Sequence, residues 1–99
     1  MLKSVAIVTG ASQGIGRATA VRLARDFQAL VLVARNRANL EDTAKMVRAA
    51  GAEVLVIDVD LAEPDAARAV VAQTLAAFGR IDALLNIAGA VPQLSLIHI

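Results

Sequence analysis

Short apolar runs alternate along this chain with segments in which apolar residues recur every three or four positions. Four of the runs predict β-strands, at residues 5–8, 30–34, 53–59 and 83–87. The periodic segments predict helices over about residues 15–25, from Asn36 to Gly51, and from about residue 63 to Phe78. Because the strands show no alternation of apolar and polar residues, both faces of the sheet should be covered. The pattern therefore predicts an α/β fold with a parallel sheet between helices.

Local signals mark the ends of the second and third helices. Asn36 can cap the start of the second helix, and Gly51 stands where the end of that helix needs a positive φ. Glu63-Pro64-Asp65 places proline and acidic residues in the first turn of the third helix. Gly79 then ends that helix.

A glycine-rich turn joins the first strand to the first helix, with the sequence Thr9-Gly10-Ala11-Ser12-Gln13-Gly14-Ile15-Gly16. Such a turn can hold a phosphate, because its backbone N–H groups are free and the positive end of the helix dipole attracts an anion. Gly10 suits the tight turn, Gly14 the close approach of a pyrophosphate, and Gly16 the contact between helix and strand. No Gly-Lys-Ser/Thr sequence follows, so a Walker-type loop is excluded.

The Thr-Gly-x-x-x-Gly-x-Gly spacing resembles that of the short-chain dehydrogenase/reductase family, in its compact single-domain branch. The resemblance runs from about Lys3 to Val91 and includes Arg35, Asp60-Leu61 and Asn86-Ile87-Ala88-Gly89. It implies a Rossmann-like doubly wound parallel sheet that is incomplete here, with about four strands and three helices. Residues 1–91 would be the N-terminal part of an NAD(P)-binding domain, and residues 92–99 a tail that does not match the family.

Arg35 directs the choice of cofactor. Enzymes that prefer NAD usually carry an acidic residue after the second strand, and here Ala34 stands at that place. The guanidinium of Arg35 can pair with a 2′-phosphate, and Arg37 is close enough in sequence to help. NADP is therefore favoured, with NAD as the alternative. Gln13 stands where a basic residue often reinforces this preference in the family, and both arginines could instead be solvated charges at a helix start.

Two further motifs resemble the family's cofactor contacts. Asp60-Leu61 matches an Asp-Leu pair whose carboxylate accepts from the adenine amino group, although Asp58-Val59 is a competing register and Asp60 could instead cap a helix. Asn86-Ile87-Ala88-Gly89 matches an Asn-Asn-Ala-Gly turn in which Ile87 replaces the second asparagine. The cofactor-binding residues that the resemblance implies are Gly10, Ser12, Gln13, Gly14, Ile15, Gly16, Arg35, Asp60, Leu61, Asn86, Ala88 and Gly89.

The family's catalytic residues have no counterpart in this chain. The resemblance implies hydride transfer between nicotinamide and a carbonyl or secondary alcohol, with a tyrosine as acid and base and a lysine four residues after it. The sequence contains no tyrosine, and neither Lys3 nor Lys45 stands in that pattern. We therefore assign no catalytic residue and no metal ligand, and expect the chain alone to be inactive.

This gap favours the interpretation of the chain as an N-terminal fragment of an NADP-dependent short-chain oxidoreductase that acts on a small carbonyl or alcohol. A non-catalytic dinucleotide-binding module is the alternative. A methyltransferase that uses adenosylmethionine is a third, against which Ala34-Arg35 counts because no carboxylate is present for the ribose. By resemblance, the full-length protein would be a homo-oligomer.

Composition narrows the class of partner. The chain has 99 residues, enough for one domain at most, and its ten basic and nine acidic residues give a net charge of +1. The scattered charges indicate no nucleic-acid partner, and the lack of cysteine excludes disulfides and thiolate catalysis.

No apolar stretch reaches the ~20 residues of a membrane span, and no export signal is visible, so a cytoplasmic protein is expected. An unpaired fourth strand would make the isolated chain prone to aggregation.

Overall fold

The computed structural model describes residues 4–87 and the backbone of residues 93–96. Along the chain the elements are β1 Val5–Thr9, α1 Gly14–Leu23, β2 Ala29–Ala34, α2 Arg37–Ala49, β3 Glu53–Asp58, α3 Ala66–Phe78, β4 Ala83–Asn86 and β5 Gln93–Leu96. The strands form one sheet in the order β3-β2-β1-β4-β5. The first four strands are parallel, and β5 is antiparallel to β4. The predicted Rossmann-like α/β fold, with four parallel strands and three helices, is confirmed.

The strand register brings the carboxyl ends of the parallel strands to one edge. Thr9 at the end of β1 lies opposite Val33 of β2 and Asn86 of β4. Ala34 at the end of β2 lies opposite Asp58 of β3. The chain winds outward from β1 to β3 on one side and returns to place β4 on the other, so β1 lies at the point where the strand order reverses. Open α/β sheets form a crevice at this point.

The core forms two layers, one on each face of the sheet. Alternate residues of β1 and β2 point to opposite faces, and both sets are apolar and buried except at the carboxyl ends, where Thr9 is polar and Ala34 is half-buried. On one face, Ala6, Val8, Leu30 and Leu32 belong to a buried cluster with Ala20 of α1 and Leu40, Ala44 and Val47 of α2. On the other face, Val5, Ile7, Val31 and Val33 cluster with Val70 of α3. Burial on both faces explains the unbroken apolar runs in the sequence.

The helix-end signals in the sequence give three correct boundaries and one wrong one. The Asn36 side chain accepts a hydrogen bond from the Asn39 N–H at 2.9 Å and caps α2. Gly51 and Gly79 follow α2 and α3 with φ values of 103° and 79°. The expectation that Glu63-Pro64-Asp65 forms the first turn of α3 is wrong, because α3 begins at Ala66.

The late start of α3 follows from hydrogen bonds made by Asp60. Its carboxylate accepts from the Ala62 N–H at 2.9 Å, and its carbonyl accepts from the Glu63 N–H at 2.9 Å. The Glu63 carbonyl in turn accepts from the Ala66 N–H at 3.2 Å. These bonds close two successive turns over residues 60–66, so the helix begins only after them.

Strand β4 is not the unpaired edge that the sequence suggested. Its residues pair with β5, from Ala83 opposite Leu96 to Asn86 opposite Gln93. The prediction of an exposed β4 is therefore wrong, because the short segment 93–96 supplies the backbone partners. Within the described residues the edge strands are β3 and β5. The predicted tendency to aggregate and the predicted domain boundary after residue 91 stay predictions.

Asp82 ties the amino ends of β1 and β4 together. Its carboxylate accepts from the buried Val5 N–H at 2.8 Å, and its own N–H donates to the Val5 carbonyl at 2.8 Å. The guanidinium of Arg80 also donates to this carboxylate. We expect Asp82→Ala to lower the free energy of unfolding by about 1–3 kcal/mol, because the Val5 N–H loses its acceptor. Urea unfolding followed by far-UV circular dichroism measures this loss.

Asp26→Ala is the matched control for this substitution. Asp26 forms an exposed pair with Arg22, one helical turn away, at 2.9 Å. Its removal should cost about 0.5 kcal/mol or less. Equal losses of unfolding free energy in the two variants would show that Asp82 contributes no more to stability than an exposed surface charge.

Candidate functional site

An open cleft of about 1010 Å³ lies along the carboxyl edge of the sheet. Its lining comes from the segments that end or follow the four parallel strands. The lining residues are Thr9, Gly10, Ser12, Gln13, Val33, Ala34, Arg35, Asn36, Asn39, Val59, Asp60, Leu61, Ala62, Asn86 and Ile87. The cleft thus spans the point where the strand order reverses, which is where α/β sheets bind ligands.

Seven of the residues singled out in the sequence lie together in this cleft. They are Gly10, Ser12, Gln13, Arg35, Asp60, Leu61 and Asn86. Gly14, Ile15 and Gly16 form the first turn of α1 and are not part of the lining. Ala88 and Gly89 lie outside the described residues.

The three glycines of the turn differ in what surrounds them. A Cβ on Gly10 would lie 2.1 Å from the Ile87 carbonyl oxygen, and a Cβ on Gly16 would lie 1.8 Å from the Gly10 carbonyl oxygen. Both positions therefore have to be glycine for the turn to pack against β4 and α1. Gly14 has a φ of 59°, and a Cβ there would meet no protein atom within 4 Å. The space beside Gly14 is open to a ligand.

The start of α1 carries no negative charge of its own. Gln13 is the N-cap residue, and its side chain makes no capping hydrogen bond within the described part of the chain. No acidic residue lies in the first turn of this helix. The partial positive charge of the helix N-terminus is thus uncompensated by side chains there, which favours an anion.

Thr9 joins the glycine turn to the end of β4, a contact that the sequence interpretation missed. Its hydroxyl donates to Asn86 Oδ1 at 2.8 Å and accepts from the Ile87 N–H at 2.9 Å. The residue is buried. A hydroxyl at the end of an otherwise apolar strand was the signal that could have pointed to it. Through Thr9 the walls of the cleft from β1 and β4 hold a fixed spacing.

The arginines after β2 have different surroundings. The Arg35 side chain is 78% exposed, and its Nη1 lies 3.9 Å from Asp60 Oδ2. Arg37 lies 3.0 Å from Asp58 Oδ1 and 3.7 Å from Glu41 Oε1. Asp58 and Arg37 are both absent from the cleft lining, whereas Arg35 and Asp60 belong to it. Arg35 is the cationic side chain that the described cleft presents to a ligand.

Two kinds of feature are not found in the part of the chain that the structure describes. Residues 4–87 and 93–96 contain no group of three or more histidine, aspartate or glutamate side chains that could hold a metal ion. Among the same residues, no helix has the length and apolar character that crossing a membrane requires.

The strand order and the glycine turn define a Rossmann-like nucleotide-binding architecture. The sequence model of the family described as short chain dehydrogenase matches residues 4–98. The chain belongs to the short-chain dehydrogenase family. This membership excludes the methyltransferase interpretation and confirms the resemblance on which the cofactor assignments depend.

The alignments with individual relatives cover most of this chain but only part of each relative. The short-chain reductase protein NovJ of Streptomyces niveus is 45% identical over 87 residues, which are 88% of this chain and 33% of NovJ. 11-beta-hydroxysteroid dehydrogenase A of Sesamum indicum is 41% identical over 86 residues, 86% of this chain and 25% of that protein. The chain spans a quarter to a third of the length of these two curated relatives.

The solved structures that resemble this chain are also matched over most of this chain and over less than half of their own length. A metagenomic short-chain oxidoreductase in complex with NADP has a TM-score of 0.81 and 42% identity, over 88% of this chain and 39% of its own. NAD+-bound xylitol dehydrogenase has a TM-score of 0.82 and 39% identity, over 88% of this chain and 34% of its own. The cofactor of the family is thus a nicotinamide dinucleotide, and both forms occur among the neighbours.

We expect Thr9→Val to lower the free energy of unfolding by about 1–3 kcal/mol, because it leaves the Ile87 N–H without an acceptor. Valine keeps the shape of threonine, so the change removes little except the hydroxyl. Thr9→Ser is the control, since it retains the hydroxyl and should lose less. Urea unfolding compares the two variants. Equal stability of Thr9→Val and Thr9→Ser would contradict a role for this hydrogen bond.

Proposed function

We propose that the chain is the cofactor-binding N-terminal part of an oxidoreductase that binds NADP(H) for hydride transfer between nicotinamide and a carbonyl or secondary alcohol. The observation that carries the proposal is the glycine turn at the reversal of strand order, with open space beside Gly14 and an uncapped start of α1. The match to the short chain dehydrogenase family over residues 4–98 supports it.

The pyrophosphate of the cofactor would lie against the glycine turn. Ser12 and Gln13 line the cleft beside it, and Gly14, Ile15 and Gly16 begin the helix that follows. The absence of a Cβ at Gly14 gives a phosphate access to the backbone. Bound there, the dinucleotide would supply the hydride, while this chain's own residues orient and hold it.

The adenosine end would lie between the segments that follow β2, β3 and β4. In this arrangement the Asp60 carboxylate accepts from the adenine amino group, and Leu61 and Asn86 complete the contact. Asp60 already accepts from the Ala62 N–H, so its position is set before a ligand arrives. Ala88 and Gly89 belong to the same proposed contact through the family motif.

The preference for NADP over NAD rests on Arg35. It is highly exposed in the cleft, and Ala34 before it provides no carboxylate to bind a ribose 2′-hydroxyl or repel a 2′-phosphate. Its contact with Asp60, at 3.9 Å, is too long for a hydrogen bond, which leaves the guanidinium available to a phosphate. Arg37 is engaged by two carboxylates and contributes little to this preference.

Proton transfer to the substrate oxygen would come from residues of a longer protein, because this sequence contains no tyrosine. The 99-residue chain alone should therefore bind cofactor without turnover.

The same lack of tyrosine favours one alternative, a non-catalytic dinucleotide-binding module. NADPH oxidation by the longer protein that contains this chain, with carbonyl substrates, separates the two. A cytoplasmic location and homo-oligomeric assembly of that protein are part of the proposal.

Arg35→Ala should weaken the binding of 2′-AMP by about tenfold or more, because a charge-assisted contact to the 2′-phosphate is lost. Binding of 5′-AMP, which lacks that phosphate, should change by less than about twofold on the same reasoning. Isothermal titration calorimetry measures both affinities in a chain that has no tryptophan or tyrosine to report by fluorescence.

Arg37→Ala is the matched control, because Arg37 is two residues away and lies outside the cleft lining. We expect it to leave the affinity for 2′-AMP nearly unchanged. A larger loss in Arg37→Ala than in Arg35→Ala would overturn the assignment of Arg35. Equal affinities for both nucleotides in all proteins would overturn the NADP preference.

Gly14→Ala should weaken the binding of ADP-ribose, because alanine is strained at the φ of 59° and would shift the turn proposed to hold the pyrophosphate. Gly51→Ala is its control: both glycines have a positive φ and open space at the Cβ position, but Gly51 follows α2. Each variant should lose about 1–2 kcal/mol of stability from the left-handed backbone. Calorimetry with ADP-ribose should show the loss of affinity in Gly14→Ala alone, and an equal loss in both would contradict the proposal.

A further inference from the structure

Arg17, in the second turn of α1, reaches two other segments of the chain. Its Nε donates to Thr43 Oγ1 of α2 at 2.9 Å. Its Nη2 donates to the Ser12 carbonyl in the glycine turn at 2.7 Å and to the Asn39 carbonyl in α2 at 3.0 Å. One guanidinium thus joins the turn, α1 and α2.

Thr43 makes a second link to the same turn. Its side chain is fully buried, and its hydroxyl donates to the Ala11 carbonyl at 2.8 Å while it accepts from Arg17. Two consecutive carbonyls of the turn, those of Ala11 and Ser12, are therefore held by side-chain donors from the two helices. The Ala11 N–H is held as well, by the Val33 carbonyl at 3.3 Å.

Holding these carbonyls also sets the direction of the N–H groups that follow them. In a trans peptide the carbonyl and the next N–H point in opposite directions. The Ala11 carbonyl therefore fixes the Ser12 N–H, and the Ser12 carbonyl fixes the Gln13 N–H. Ser12 and Gln13 line the cleft, whereas Arg17 and Thr43 do not. The two donors thus hold the turn from behind the cleft.

We infer that Arg17 and Thr43 are positioning residues, which orient the Ser12 and Gln13 N–H groups toward the pyrophosphate of the cofactor. This inference rests on the proposed function. All three acceptors of Arg17 are uncharged, a hydroxyl and two backbone carbonyls. No carboxylate of the described residues pairs with Arg17, so its guanidinium adds to the attraction of the helix N-terminus for an anion.

The test follows the binding of ADP-ribose to the 99-residue chain by nuclear magnetic resonance. The backbone amide signals of Ser12 and Gln13 report on the turn, and those of Leu61 and Ala62 report on the adenine end of the cleft. The variants are Arg17→Ala and Thr43→Val, with Thr43→Ser and Arg22→Ala as controls. Thr43→Ser keeps the hydroxyl, and Arg22 is an exposed arginine of α1 paired with Asp26.

We expect Arg17→Ala and Thr43→Val to weaken the binding of ADP-ribose by about tenfold, as the loss of a hydrogen bond to a charged group implies. At saturation the shifts of Ser12 and Gln13 should be reduced, whereas those of Leu61 and Ala62 should be retained. Both controls should stay within about twofold of the unsubstituted chain, because they keep the turn intact. Thr43→Val leaves the charge of Arg17 in place, so it tests geometry apart from electrostatics.

Two results would overturn this inference and leave the proposed function unaffected. One is an unchanged affinity in both Arg17→Ala and Thr43→Val, and the other is an equal loss of shifts at both ends of the cleft together with a lower melting temperature. If Arg17→Ala fails to fold, the comparison of Thr43→Val with Thr43→Ser decides. An unsubstituted chain that folds but shows no shifts with ADP-ribose would instead refute the proposed function itself.

Discussion

Backbone packs directly against backbone where the glycine turn meets the end of β4. The Gly10 carbonyl lies where a Cβ of Gly16 would be, and the Ile87 carbonyl lies where a Cβ of Gly10 would be. No side chain can be inserted at either place, so α1, β1 and β4 approach one another as closely as the backbone allows. Thr9 strengthens this contact through its hydrogen bonds to Asn86 and to the Ile87 N–H.

Features that depend on neighbouring residues were predictable from the sequence. The unbroken apolar runs indicated a sheet covered on both faces, and Asn36 and Gly51 marked the ends of α2, because each signal acts within a few residues. The start of α3 was not predictable in this way. Proline and acidic residues favour a first helical turn, but Asp60 closes competing turns whose hydrogen bonds only the folded chain reveals.

In the candidate site, too, the features that depend on nearby residues were predictable and those that depend on distant residues were not. The glycine spacing and the family resemblance identified seven residues that the fold brings into one cleft. The contacts of Thr9 and the hydrogen bonds by which Arg17 and Thr43 hold the glycine turn were missed, because they join segments that are far apart in sequence. Thr43 lies 32 residues from Ala11, and Thr9 lies 77 residues from Asn86. In sequence alone, Thr43 is one polar position in an amphipathic helix.

The central place of β1 in the sheet also has a consequence for the order of folding. Its partner β2 lies near in sequence, since Ser4 already bonds with Gln28 across 24 residues, whereas the bond from Thr9 to Asn86 closes a loop of 77. Closing the longer loop costs more chain entropy and comes later, once intervening elements have formed. We therefore expect the half of the cleft between β1 and β3 to assemble first and the wall from β4 to complete it. A dinucleotide that touches both halves would favour chains in which β4 has joined β1, and so would act as a late check on folding.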